Sequence, residues 1–281
     1  MTTPATPEQA DPDRPDADRP GRPAVPDAAA LRELADALTP ARLFLGSAGL
    51  SHRTTDALAL RADHAAARDA VAASLDLGLP AMAALGLFEI GTEAGDPATH
   101  LVRPDLGRRL TPAAIDRLRR DGTAGADLQV VVGDGLSAAA VHRQVPALLP
   151  RLESLAAGRG WSWGRPFAVR HCRVGVLNDI GATLDPRIVV LLIGERPGLA
   201  TAESISAYLA WRPRPGCTDA DRNVVSNIHE RGTPPGPAAA RIVALAGALV
   251  AAGRSGALVK EPELPEVGQR SGGQASARMG A

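Results

Sequence analysis

The sequence predicts an α/β protein, a Rossmann-like, doubly wound parallel sheet preceded by an N-terminal helical region. Three observations carry this. Residues 28–124 hold Ala-rich stretches broken by turn signals, which read as helices. From residue 125 to 258, short apolar β-rich runs alternate with helical stretches, the pattern of parallel strands joined by crossover helices. Hydrophobic residues make up 45% of the 281, yet aromatics only 2%, so the core is built from Ala, Val, Leu and Ile. Such a core suits close helix packing and strands buried on both faces.

The elements follow in order. Residues 1–27 form a tail rich in Pro, Asp and Arg, with seven prolines in the first 26 positions. It has little to bury and is expected to be disordered, as is the Gly-, Ser-, Pro- and charge-rich tail at 259–281. Between them, Gly46, Gly49, Gly78 and Gly95 punctuate the helical region. Its strongest helix is TTDALALRADHAAARDAVAASL, in which Leu60, Ala67, Val71 and Leu75 fall on one face. His64 lies on that stripe, either in a helix–helix contact or against a partner subunit or cofactor. LQVVV is the first strand of the second region, and GDGLS is its turn. AAAVHRQV and PALLPRLESLAA read as two helices, split because Pro146 has no N–H to continue one. FAVRHCRVGV is the next strand, and RIVVLLIGE the clearest, a run buried on both faces. A helix from about Pro237 to Arg254 closes the region.

Charge excludes some functions. Thirty-one basic residues balance 31 acidic ones, only one of them a lysine, Lys260. A neutral chain without a basic cluster argues against nucleic acid as a partner. Cys172 and Cys217 are too few for a disulfide framework and read as reduced thiols of a cytosolic protein. No apolar leader and no run of about eighteen apolar residues is seen, so neither secretion by that route nor membrane spanning is expected.

Three stretches carry candidate chemistry. In VVVGDGLSAAAV, Gly133, Gly135 and Ala138 match G-x-G-x-x-A between a strand and a helix. This is a dinucleotide signal, but no acid ends the next strand to hold a ribose. The alternatives are a tight turn with Ser137 as helix N-cap, or a loop lining another ligand. In IGERPGL, Glu195 ends the strongest strand, where open parallel sheets bind ligands. It is either a surface turn or a ligand acceptor, with Arg196 able to pair and Pro197–Gly198 fixing the turn. In CTDADRNVVSNIH, Asp221, Arg222 and Asn223 read as one helical turn, with Ser226 and Asn227 after it. His171 and Cys172 are adjacent, which in a strand points them to opposite faces. No C-x-x-C, H-E-x-x-H or G-x-S-x-G occurs.

Taken together, VVVGDGLSAAAV, FAVRHCRVGVLNDIGATL, VVLLIGERPGLATAESISAYLAWRPRPG and DADRNVVSNIHERGTPPGPAAARIVALA resemble the small subunit of ethanolamine ammonia-lyase. TPARLFLGSAGLSHRTTDALALRADHAAARDAV and LVRPDLGRRL resemble that family's helical part, so the resemblance spans roughly residues 35–255. It implies an enzyme that converts ethanolamine to acetaldehyde and ammonia by adenosylcobalamin radical chemistry. It also implies a large barrel subunit that holds the substrate, with this chain forming the other wall of the cobalamin site within a hetero-oligomer. The family's cobalamin contacts map onto Val174, Glu195 and Val224, the last standing where the family often has Cys. The chain has no D-x-H-x-x-G, the motif that puts a histidine on cobalt in another cobalamin family. The resemblance implies that the cofactor's own benzimidazole stays on the metal.

The residues fit this implication. Corrin amides need acceptors such as the Glu195 carboxylate, and the tail phosphate suits N–H groups of the loop at Gly133–Ser137, including Asp134, Gly135 and Ser137. A cofactor of this kind carries the hard chemistry and leaves the protein to orient and shield it. The competing reading is a stand-alone Rossmann-like nucleotide-dependent oxidoreductase; a third is a purely structural partner. The expected location is the cytoplasm, with residence in a bacterial microcompartment left open.

Overall fold

The structure, a computed structural model, describes residues 27–39 and 41–263. Of the tails expected at 1–27 and 259–281, all but Asp27 and residues 259–263 lie outside the described residues; Asn223 Nδ2 donates to the Val259 carbonyl at 2.9 Å and Arg241 pairs with Glu261 at 2.6 Å. The chain divides into two compact units, Met1–Asp56 and Ala57–Ala281. The first contains helix α1 (Ala28–Leu38) and a two-stranded ribbon, β1 (Ser47–Ala48) with β2 (Ser51–His52). Within it, Arg32 Nη2 donates to Asp56 Oδ1 at 2.9 Å.

Helix α2 (Thr54–Ala72) leads into the second unit. It is the alanine-rich helix read from sequence, but its apolar stripe is only partly covered. Leu75, just past its end, is buried, Ala67 and Val71 are half-buried, and Leu60 and His64 are exposed. After α3 (Pro80–Ala83) comes β3 (Phe88–Gly91), then α4 (Pro97–Val102) and α5 (Pro112–Asp121). The stretch expected to be purely helical therefore donates a strand, and β3 joins the main sheet. Its four residues, FEIG, are too few for a period to stand out against alanine-rich surroundings.

The remaining elements are β4 (Leu128–Gly133), α6 (Ala138–Gly158), β5 (Trp163–Arg170), α7 (Leu177–Leu184), β6 (Ile188–Gly194), β7 (Ile205–Trp211), β8 (Asn223–Ile228) and α8 (Pro235–Ala252). The sheet order is β3-β5-β4-β6-β7-β8. The first four strands run parallel, as expected; β7 and β8 are added antiparallel. Every residue of β4 and β6 is buried, which is why both read as apolar runs, broken only by Gln129 in β4, and sit at the centre.

Two details differ from the sequence reading. Helix α6 is continuous through Pro146 and Pro150. An interior proline costs a helix about 3 kcal/mol, whereas burying a leucine or valine returns about 1.5–3 kcal/mol. Val141, Val145, Leu148, Leu149 and Leu152 are all buried, so packing outweighs the two missing donors. The DADRNVVSNI stretch is not a helix. Asp219–Asp221 makes a single 3-10 turn closed by a Thr218–Asp221 capping box, and the chain then extends as β8. Val224 and Val225 are β-branched, and pairing with β7 satisfies their backbone.

Helices α6 and α8 cover one face of the sheet, and α5 and α7 cover the other. α8 is long and apolar enough to span a membrane, but it packs into the core through Ile242, Val243, Leu245, Ala246 and Leu249. The second face is covered over β3, β5, β4 and β6 and over part of β7, where Ala210 is buried. Toward β8 it opens: Tyr208 is half-buried, Val224 is 45% exposed and Ser226 is exposed.

Candidate functional site

The carboxyl ends of β4, β5 and β6 lie side by side, and the antiparallel β7 brings its own start to the same edge. Gly135 and Leu136 after β4, Cys172–Val174 after β5, Ile193–Arg196 at the end of β6, and Ser206 and Tyr208 of β7 line a cavity of about 410 Å³. This is the edge at which open parallel sheets bind ligands.

Glu195 leaves β6 into this cavity. Its N–H donates to the Ser204 carbonyl at 3.0 Å, which fixes the backbone. Its carboxylate accepts from Ser204 Oγ at 3.0 Å, from Ser206 Oγ, and from the Asn227 N–H at 3.4 Å. An ionised carboxylate offers about four acceptor positions, so three donors orient Glu195 and leave capacity toward the cavity. Beside it, burial and the Glu195 charge push the Tyr208 phenol up, so this hydroxyl keeps its proton and can donate.

Val174 begins a 3-10 turn, Val174–Val176, that runs into α7. It is half-buried and lines the cavity. Val224 stands opposite Tyr208 in the β7–β8 register, and opposed residues of an antiparallel pair share a face. Val224 is therefore on the bare face beyond Tyr208 and outside the cavity itself. The structure brings Val174 and Glu195 into one cavity and sets Val224 on the surface continuing from it.

The glycine loop behaves differently from a phosphate cradle. The Leu136 N–H donates to the Gly194 carbonyl at 3.0 Å and the Ser137 N–H to the Asp134 carbonyl at 3.3 Å. Ser137 is buried; its hydroxyl caps the Ala140 N–H at 3.1 Å and donates to the Ala202 carbonyl at 2.8 Å. Gln144 ties the Glu203 carbonyl to the same helix at 3.0 Å. The loop from Glu195 to Ser204 thus folds over the start of α6, and most donors a pyrophosphate would need are spent. This removes the geometric basis of the dinucleotide reading. Of the turn, Gly135 and Leu136 line the cavity, whereas Asp134 and Ser137 do internal work.

Asp134 is the clearest case of that work. Its two carboxylate oxygens accept the N–H groups of His171 at 2.7 Å and Cys172 at 2.8 Å. His171 adopts a left-handed φ of 54°. The strand read as FAVRHCRVGV therefore stops at Arg170, and His171 and Cys172 lie in a turn rather than on opposite faces of a strand. Cys172 is fully buried, and burial pushes its thiol well up.

Behind this turn, His100 Nε2 donates to the Gly135 carbonyl at 2.9 Å. Burial and then the Arg173 charge hold the His100 imidazole below its ordinary range, in the neutral form. Arg173 Nη2 donates to the His100 carbonyl at 2.8 Å. Sequence reasoning missed Ser204, Ser206, Tyr208 and Arg173. For Ser206 and Tyr208 a signal existed: in ISAYLAW, Ile205, Ala207 and Leu209 alternate with them, the period of a half-covered strand.

The chain is similar to proteins of known family. The family model described as ethanolamine ammonia-lyase light chain (EutC) matches residues 29–260. The ethanolamine ammonia-lyase small subunit of Rhodopseudomonas palustris (strain BisA53) is 43% identical over 233 residues, 82% of this chain and 89% of the relative. Those of Listeria innocua serovar 6a and Listeria monocytogenes serovar 1/2a are each 41% identical over 208 residues, 74% of this chain and 70% of theirs.

Proposed function

The chain belongs to the ethanolamine ammonia-lyase light chain family, and from that premise we propose that the cavity at the sheet's carboxyl edge is its share of the adenosylcobalamin site. The family's enzyme is a B12-dependent carbon–nitrogen lyase, and a small subunit has a large subunit as partner. The observation that carries the proposal is Glu195, a carboxylate held by three donors at the mouth of a cavity walled by Val174, Ile193 and Tyr208.

The residues fit the cofactor. Corrin presents primary amide donors around an apolar ring, and the cavity offers one oriented carboxylate and a hydroxyl beside valine and isoleucine side chains. The chemistry the cofactor supplies when bound is radical generation. This chain's residues would bind it, orient it and exclude water: Glu195 would accept from amides, Val174 would supply apolar contact, and the exposed surface at Val224 would extend it. Among the described residues the cavity contains no paired general acid and base. The substrate's chemistry therefore falls to the large, barrel subunit of a hetero-oligomer.

The test is Glu195→Ala and Glu195→Gln, each assembled with the large subunit. Ala leaves amide donors unpaired in a covered site and should cost about 1.5–3 kcal/mol, or roughly ten- to hundredfold in apparent cobalamin affinity. Gln retains one acceptor and should cost less. The rate at saturating cofactor should stay near that of the unaltered enzyme. Unaltered affinity in Glu195→Ala removes Glu195 from the site.

A further inference from the structure

With most of the glycine loop's donors spent, the anionic part of the cofactor needs a further partner. Arg173 and Arg196 both line the cavity. Among the described residues, the Arg173 guanidinium makes one hydrogen bond, to the His100 carbonyl, and its Nε is buried without a partner. No ion pair joins either arginine to a carboxylate among the described residues.

The nearby carboxylates are committed elsewhere. Asp134 holds the two N–H groups of the His171 turn. Glu195 is held by Ser204, Ser206 and Asn227. Asp219 is shared by Arg108, at 2.6 Å, and Arg222. Arg108 adds a further positive charge near Arg173. A half-buried guanidinium near like charges, with the Asp134 charge nearby but no ion pair of its own among the described residues, is an expensive arrangement in the free chain. Burial and the Arg196 charge both act against the charged form of Arg173, as expected where an anion belongs.

We propose that Arg173, with Arg196 at the rim, binds the phosphodiester of the cobalamin nucleotide tail. A guanidinium matches two phosphate oxygens with two parallel N–H bonds. The proposal rests on the cobalamin reading of the cavity.

The experiment compares two corrins on the complex with the large subunit, by equilibrium dialysis. Cyanocobalamin carries the phosphate; cobinamide has the same ring amides and lacks phosphate, ribose and base. Arg173→Met keeps the aliphatic stem, and Arg173→Lys keeps the charge. Arg173→Met should weaken cyanocobalamin about ten- to hundredfold and leave cobinamide binding unchanged, with Arg173→Lys recovering part of the loss. Equal loss for both corrins, or none for either, overturns the assignment. So does weakened subunit assembly without corrin, which would make the anion a partner carboxylate. Glu195→Ala, run alongside, separates the two levels of the argument because it acts on amides both corrins carry. If it weakens both while Arg173→Met weakens neither, only the phosphate assignment falls. If neither variant alters either corrin, the cavity reading falls with it.

Discussion

Gly135→Ala tests whether the turn after β4 is a packing device. Gly135 has φ 58°, a conformation that costs an L-residue about 1–2 kcal/mol. A Cβ there would overlap the Gly194 carbonyl oxygen and lie 2.6 Å from Ile193 Cγ1. Both belong to the end of β6, a fully buried strand, so neither can retreat without disturbing the sheet. Overpacking of this kind costs about 1–3 kcal/mol. The displaced carbonyl also weakens the Leu136 N–H bond that it accepts, worth about 1 kcal/mol. Together the loss should reach about 3–6 kcal/mol, a large share of a domain's total stability. The assay is urea unfolding, read as a lower midpoint at unchanged slope. Gly160→Ala is the control: its φ is 71°, and nothing stands within 4 Å of an added Cβ. It should lose only the dihedral cost. Equal losses in the two variants would refute the close-approach argument.

Other outcomes follow from the same geometry. Asp134→Ala strands the N–H groups of His171 and Cys172 and should cost about 3 kcal/mol in urea unfolding; a loss under about 1 kcal/mol would mean water replaces the carboxylate. Pro146→Ala restores an interior donor to α6 and should stabilise the chain by about 1–2 kcal/mol, less than the full helix penalty because proline also restricts the unfolded chain. His100, His142 and His229 are each held below the ordinary histidine value, with burial the largest cause. The unfolded chain thus binds more protons than the folded one once pH drops through about 6.5. Stability should be level above that value and fall below it, and a urea midpoint that stays flat from about pH 7.5 to 5.5 would contradict this.

What could be read from sequence tracks where one physical signal dominates. β4 and β6 announce themselves because both faces are buried and no alternation dilutes the run. Glu195 stood out for the same reason, as a charge directly after such a run. Ser137 was correctly open to reading as an N-cap, since local capping chemistry suffices to identify it. The failures occur where tertiary contacts overrule local preference. Pro146 lies inside a helix held by its packing, and Asn223–Ile228 is a strand because β7 pairs with it. Asp134 could not be assigned its role because its partners lie 37 and 38 residues away. Arg173 looked like one arginine among 30 until the fold placed it beside Arg196 with no carboxylate to spare.

The antiparallel pairing of β7 and β8 carries a consequence for how this surface can change over time. A strand added in parallel arrives with a crossover helix, and that helix roofs the strand it follows. A strand added antiparallel brings no such roof. By reversing direction after β6, the chain ends its sheet with two strands, and over Val224 and Ser226 of the last one nothing of its own has to fit. Residues there are tuned by whatever settles on them, not by the core beneath. Replacing Val224 should therefore leave folding almost untouched while altering the fit to a docked surface. The chain can vary its contact residues at that position without renegotiating its own stability.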